Sequence, residues 1–392
     1  MGHGTFQDLH RLIKYKLKQI GGICMKKKSN LGAITVGILI VSILVSTAII
    51  TLTGCDVQEE PVITPSETIS GDNIQEGPIV IVTSLEDTIS ENAAWCGTFN
   101  LIWNDLKEVY AKQDIDFGIP SEIVDHLNEG TFSVKDLSED SYYKTHGIPT
   151  LELKEEIEKA IKDKFDEESD ILDELDWSGN PHHRILYCML KKEFEFPKVF
   201  TKLSEGTFGD NQTATYFGID SSTKKEVGNQ VKVLYYNSED DFAVKLLTKQ
   251  NDEVILTVGR NENNFLDIYN EIIEESKKYE GSYHFNDDRL KIPYIKFDLK
   301  EEIEEVENKP FLFADGTEWT IYKALQTIQF ELDEKGGRVK SEAAIAMKDN
   351  AIMMPSEPRN LYVDEAFTIF LVEEGMELPY FAAKISDIDT IQ

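Results

Sequence analysis

WTIYKALQTIQFELDEKGGRVKSEAAIAMKDNAIMMPSEPRNLYVDEAFTIFLVEEGMELPYFAAKI, residues 319–385, is the stretch on which the reading of this chain turns. Trp319–Leu332 is rich in apolar, aromatic and β-branched residues and stops at Leu332-Asp333-Glu334-Lys335-Gly336, where turn formers gather. A long segment without firm pattern follows, to about Arg359. Phe367–Val372 and Pro379–Ile385 then read as two strands paired across Glu373–Glu377. Within the patternless segment the residues alternate. One face holds Gly337, Val339, Ser341, Ala343, Ile345 and Met347, all small or apolar; the other holds Arg338, Lys340, Glu342, Ala344, Ala346 and Lys348, with every charge. Strand side chains point alternately to opposite faces, so this segment is able to enter a sheet with its first face on a core. An ordinary half-buried strand has the same period, and the residues alone leave both readings open.

Upstream, Val231–Tyr236, Asp241–Leu247 and Glu253–Val258 read as strands, with a turn at Asn237-Ser238-Glu239. Leu290–Phe297 is extended, and Arg184–Met189 leads into a strand. Asn264–Lys278 and Leu153–Lys164 are helical, the latter with Ile157 and Ile161 inward. Trp95, Phe99, Ile102, Trp103, Leu106 and Tyr110 fall on one helical face behind a Thr88…Glu91 capping box. Helices come early, strands dominate later, and no βαβ alternation appears, so an α+β fold is expected. No linker interrupts residues 78–392, which read as one domain.

The order of these pieces resembles the serpins. In that family a "HKA…V-(D/N)-E-x-G" strand feeds an alanine-rich hinge and an exposed reactive loop, and two further strands close the chain. The matching residues are Lys323-Ala324, Asp333-Glu334-Lys335-Gly336, Ala343-Ala344, Val363–Phe367, Phe370, Pro379, Phe381 and Ile385. Ile185–Phe200, Val231–Leu247 and Leu290–Phe297 resemble earlier strands of the family in the same order. The chain departs from the pattern in four places. The part before Ile185 is short, the sheet-opening "SPxSI" segment is not found, Phe194 replaces a tryptophan, and Gly337 stands where threonine is usual.

The resemblance implies a serpin-like α+β fold, with helices mostly in the N-terminal half, large mixed or antiparallel sheets, and an exposed loop near the C-terminus. It also implies a function. A peptidase cuts the loop and, while still acyl-linked, is carried away as the loop inserts into a sheet, a strain-releasing switch. The hinge would comprise Gly336, Gly337, Val339, Ser341, Ala343 and Ala344. The scissile bond would lie within 348–354, with Lys348, Asn350, Ala351, Met353 and Met354 as candidates. Lys348 suits a trypsin-like peptidase, Met353 or Met354 an elastase- or subtilisin-like one, and Pro355 makes the bond after Met354 a poor choice.

The N-terminus carries a separate message. Met25 precedes Lys26-Lys27-Lys28, and residues 31–54 hold no charge, the layout of an export signal. The run is long enough to span a bilayer, but it ends in Leu52-Thr53-Gly54-Cys55, which resembles a bacterial lipobox with Cys55 as the lipid-bearing residue. Residues 1–24 are read as upstream sequence preceding a start at Met25, 25–54 as the lipoprotein signal and 55–77 as a flexible tether. The mature protein is thus expected to be anchored through lipid on Cys55 to the outer face of a bacterial membrane, as a monomer with an extracellular peptidase as its partner.

Charge and missing motifs narrow the classes further. With 72 acidic and 40 basic residues the formal charge is −32, which repels phosphate backbones and argues against nucleic-acid binding. Cys96 and Cys188 sit in apolar surroundings and are expected to be unpaired core thiols, a disulfide being the alternative. No HExxH, P-loop, GxGxxG or GxSxG is present. His182-His183 lies in a turn, and the acidic run 163–176 lacks calcium-loop spacing. No metal, cofactor or catalytic residue is therefore assigned, and an enzyme is the least supported class. A serpin-fold surface lipoprotein that binds a ligand or partner without inhibiting is the competing reading.

Overall fold

The computed structural model describes residues 79–90, 92–337 and 358–391. The chain runs β1 (Val80–Ile81), β2 (Ala93–Cys96), α1 (Thr98–Asp105), α2 (Glu122–Glu129), β3 (Tyr142–Gly147), α3 (Leu151–Phe165), β4 (Ile185–Leu190) and β5 (Phe194–Glu195). Short strands β6 (Thr201–Lys202), β7 (Gly206–Phe208), β8 (Gln212–Ala214) and β9 (Tyr216–Ile219) lead to β10 (Val231–Ser238), β11 (Asp241–Leu247) and β12 (Asp252–Val258). After α4 (Phe265–Lys278) come β13 (Arg289–Pro293), β14 (Ile295–Glu302), β15 (Pro310–Leu312), β16 (Glu318–Thr320), β17 (Leu325–Leu332) and β18 (Gly336–Gly337). β19 (Asn360–Tyr362), β20 (Phe367–Glu373) and β21 (Phe381–Ile385) follow. The class is α+β, with early helices and later strands as the sequence pattern implies.

Burial selects the central strands. β20 reads FTIFLVE and is buried at every position; a run covered on both faces belongs inside a layered sheet. It sits in a seven-stranded sheet of order β1-β2-β21-β20-β12-β11-β10. Its antiparallel register with β12 is unbroken from Asp252↔Glu373 to Val258↔Phe367. Helix α4 covers this sheet, setting Phe265 and Tyr269 against Phe370 with ring centroids 6.1 and 5.4 Å apart. Asn264 caps the helix by accepting the Asp267 N–H at 2.7 Å. The hairpin of β20 and β21 and the β10–β12 meander are as expected. The β10–β11 turn falls slightly later, because β10 continues to Ser238 through two bulges.

Trp95 corrects the helical reading of residues 95–110. It lies in β2, fully buried, in a strand that pairs with β21 from Ala93↔Lys384 to Cys96↔Phe381. All four residues of β2 are buried, which a helix with one apolar face does not achieve. Gly97 ends the strand and precedes α1 without a side-chain cap, so Thr88 does not cap the helix. A Cβ on Gly97 would lie 2.1 Å from the Phe132 ring. The helical period holds from Phe99 onward, through α1 and a π-helical turn over Leu106–Ala111.

Helix α3 is where the 3.6-residue pattern places it. Thr150 accepts the Leu153 N–H at 3.1 Å, and Ile157 and Ile161 are fully buried. They form a satellite core with Leu172, Ile185 and Tyr187. α3 therefore covers one face of β4, while Cys188 and Leu190 of the same strand pack on the main core.

Candidate functional site

Two small sheets approach one another without joining. β3 pairs with β4 from Tyr142↔Leu190 to Gly147↔Ile185. β14 pairs with β17 from Ile295↔Leu332 to Glu302↔Leu325. β4 and β17 share no ladder. A cavity of about 340 Å³ lies between them, walled by 186–190 and 325–331 and floored by Cys96, Phe297 and Phe381. The segment Glu167–Ile171, which follows α3, lines it as well. Unpaired strand edges are ready templates for another strand, and here two of them face one slot.

The slot closes at one end only. Asp333 Oδ1 accepts the N–H groups of Lys335 at 2.7 Å and Gly336 at 3.0 Å, which reverses the chain after β17. Gly337 then pairs with Leu332, while Gly336 and Gly337 pair with Glu195 and Phe194 of β5. β18 is thus a two-residue strand bridging the two sides of the slot. Gly336 has φ +150°, and a Cβ there would meet the Phe194 carbonyl oxygen at 2.0 Å, a backbone contact with no flexible partner to yield. Gly336→Ala is expected to cost more than about 1 kcal/mol, the usual scale for alanine forced into positive φ. It should also speed amide exchange at Phe194 and Gly337; unchanged exchange there would show that the pairing tolerates a side chain.

Buried charges hold the surrounding strands. Beside β18, Glu334 is buried and accepts the Tyr294 hydroxyl at 2.9 Å, with Lys202 Nζ at 3.3 Å. Burial works to raise its carboxyl, but these bonds outweigh it and hold the group below the ordinary range. Burial, then the bond to Glu334, pushes the Tyr294 phenol up. At the end of β4, Lys192 Nζ lies 2.8 Å from Asp252 and 2.6 Å from Glu373, both carboxylates nearly inaccessible. Glu373 also accepts the Ser138 N–H at 2.8 Å and hydroxyls from Ser138 and Ser141 at 2.5 and 2.7 Å. Burial opposes ionisation of Glu373, yet this ring of donors keeps its carboxyl below the usual value. Asp252 has fewer donors, Lys192 and the Tyr380 hydroxyl, and burial raises it.

The segment beyond 337 returns to the described structure at a locked point. Arg359 is buried and donates Nη2 to Asp288 Oδ2 at 2.7 Å, to the His284 carbonyl at 2.7 Å and, through Nη1, to the Ser282 carbonyl at 2.7 Å. β19 then pairs in parallel with β13, from Arg289↔Asn360 to Lys291↔Tyr362.

Of the residues singled out from sequence, Gly336 and Gly337 lie in β18, already paired rather than in an exposed segment. Val339, Ser341, Ala343, Ala344, Lys348, Asn350, Ala351, Met353 and Met354 lie outside the described residues, as does Cys55. Cys96 and Cys188 are free thiols on the slot. Burial pushes both upward, aided at Cys188 by the neighbouring Cys96, which favours the thiol over the thiolate. His183 bonds Asn180 at 3.0 Å, and among the described residues no group of three His, Cys, Asp or Glu is placed to hold a metal. Sequence reasoning missed Lys192, Asp252, Glu373 and Arg359. Their only signal was a charge at the border of an apolar strand, where solvent-exposed turn residues also stand.

No protein-family model and no curated protein matches the chain. Among solved structures it is similar to the thermophilic serpin tengpin in the native state, with 12% identity, TM-score 0.46, and 77% of this chain and 90% of that one covered. The mouse protein Z-dependent protease inhibitor gives 14% identity and TM-score 0.43 over 76% and 91% of the two chains. Serpin48 of the insect Tenebrio molitor gives 10% identity and TM-score 0.43 over 76% and 92%.

Proposed function

We propose that this chain is a lipid-anchored inhibitor of extracellular serine or cysteine peptidases, held by Cys55 to the outside of a bacterial cell and working by cleavage and insertion of residues beyond Gly337. The observation that carries this reading is the open slot, with β18 already seated at its closed end. Continuing the Leu332↔Gly337 register along β17 would set Val339 opposite Phe330, Ser341 opposite Ile328 and Ala343 opposite Gln326. Phe330, Ile328 and Gln326 are buried, and directly opposed residues of a pair share a face. The small or apolar side chains would therefore enter the core. Arg338 and Lys340 would fall on the outer face, opposite Glu331 and Gln329, and the acid beside Arg338 is a complementary neighbour. The residue pattern and the slot agree in period, direction and face.

One observation favours a non-inhibitory binding protein instead. Lys192 ties the end of β4 to the central sheet through two buried carboxylates, which opposes any widening of the slot. The test is incubation with a panel of serine and cysteine peptidases, followed by denaturing gels. Inhibition predicts a covalent adduct at the summed mass. Ala343→Arg, which would place a charge against Gln326 in the core, should abolish the adduct and leave simple cleavage within 348–354. Cleavage without adduct in the unsubstituted protein would favour the binding reading.

A further inference from the structure

A second cavity, of about 130 Å³, opens beside the far end of the slot. Its lining is almost wholly aromatic and aliphatic. Phe99, Trp103 and Tyr110 come from α1 and the turn after it, Tyr187 from β4, and Phe313 and Trp319 from the β15–β16 hairpin. That hairpin, paired from Pro310↔Thr320 to Leu312↔Glu318, stacks Trp319 on Phe313 with centroids 5.0 Å apart and planes 12° from parallel.

One donor in this apolar cup lacks an acceptor, and one cation lacks a counter-charge. The Trp319 indole N–H is buried and has no hydrogen-bond partner among the described residues. Arg184 stands over the Trp319 and Tyr110 rings, its guanidinium carbon 5.5 and 5.9 Å from their centroids. Its Nη1 donates to the Pro181 and His183 carbonyls at 2.8 and 2.7 Å. Among the described residues no carboxylate lies within ion-pair distance of it, in a chain with 72 acidic residues. A half-buried guanidinium usually has a carboxylate, and a buried indole N–H usually has an acceptor. Here the indole N–H has no acceptor, and the guanidinium, held only by two carbonyls, has no carboxylate.

We infer that this cavity binds a small aromatic carboxylate, with its ring among the aromatic walls and its carboxylate accepting from Arg184 and the Trp319 indole. The volume sets the size: at about 130 Å³ the cavity is no larger than the apolar cavity of about 150 Å³ that holds benzene, so one six-membered ring fills it, a short carboxylate arm must lie at its open side by Arg184, and a fused ring system does not fit. Guanidinium and carboxylate also match in geometry. The cavity shares Phe99, Ile102, Ile171, Leu186, Tyr187 and Leu325 with the slot. An occupant would therefore touch both β4 and β17 and resist their separation, a consequence that rests on the insertion reading while the binding itself does not.

The test is calorimetric titration of the full chain in detergent with phenylacetate and with its uncharged isostere phenylacetamide. A charge-assisted bond to a half-buried arginine predicts about tenfold or more tighter binding of the acid. Trp319→Phe, which removes the unpartnered N–H together with one ring of the indole and leaves an aromatic face towards Phe313, should weaken phenylacetate severalfold and the amide, which shares only the lost ring contact, less. Arg184→Met should erase the preference for the acid; if that variant fails to fold, the acid–amide comparison and Trp319→Phe still decide. Equal affinity for acid and amide, no binding at millimolar concentrations, or indifference to Trp319→Phe would each overturn the assignment. None of these readouts depends on inhibition of a peptidase.

Discussion

A single cut within residues 348–354 is expected to raise the melting temperature by on the order of 10–20 °C. Before the cut the segment is held at both ends: Gly337 is paired in β18, and Arg359 is locked to Asp288 ahead of β19. Release of one end would let the residues after Gly337 form ladders with β17 and β4 at once. Each net backbone hydrogen bond contributes about 0.5–1.5 kcal/mol, and in the inserted register Val339, Ala343 and Ile345 would face the core. Against this stands an ordering cost of about 1–2 kcal/mol per residue. A surplus of several kcal/mol, at about 2–4 °C for each in a domain of this size, gives the expected range. Scanning calorimetry of intact and nicked protein measures it directly. An unchanged transition would mean that the slot does not accept a strand, and the same scan with Ala343→Arg should show little or no rise.

Lys192→Met is expected to destabilise the protein by about 3–5 kcal/mol at neutral pH, the usual cost of removing one partner from a buried ionic cluster. Asp252 and Glu373 would remain buried without their cation. The pH dependence has a definite sign. Glu373 is held below its ordinary value, so its contribution is present above the carboxylate range and is lost as pH falls through its folded pKa. Asp252 is raised, so its ionised form carries a cost that disappears as pH falls. In the variant both carboxyls lose Lys192, and acid relieves both. The gap between variant and parent should therefore shrink from pH 7 toward pH 4. Denaturant unfolding at the two pH values checks this; a gap that does not depend on pH would mean that Lys192 contributes through packing alone.

The elements that could be read from sequence are those whose own residues carry the period. α3 announces itself through Ile157 and Ile161, and the β20–β21 hairpin through two apolar runs around a polar turn. The face alternation after Gly337 has the same kind of period, but it falls on 338–357, outside the described residues. Trp95 was misassigned because Ala93-Ala94-Trp95-Cys96 has no alternation: both faces are buried, and what makes it a strand is β21, nearly three hundred residues later. The slot could not be read at all, since a missing ladder between β4 and β17 is a property of neither strand's composition. Lys192, Asp252 and Glu373 come from three distant segments, and Arg359 finds Asp288 across 71 residues. Polar sites assembled by topology leave only isolated charges in the sequence.

The two glycines of β18 bear on timing. A trap of the proposed kind is a race between hydrolysis of the acyl-enzyme and travel of the freed segment. Most of the delay in adding a strand lies in finding the first correct pairing, because chain entropy must be surrendered before any contact rewards it. Here Gly336 and Gly337 already hold that pairing, and at Gly336 only a residue without a Cβ can do so against the Phe194 carbonyl. The slow search is thus completed before the peptidase arrives, and what remains is closure outward from a seeded end. On this view the glycine pair sets how many peptidase molecules are captured per chain cut, a stoichiometry rather than an affinity.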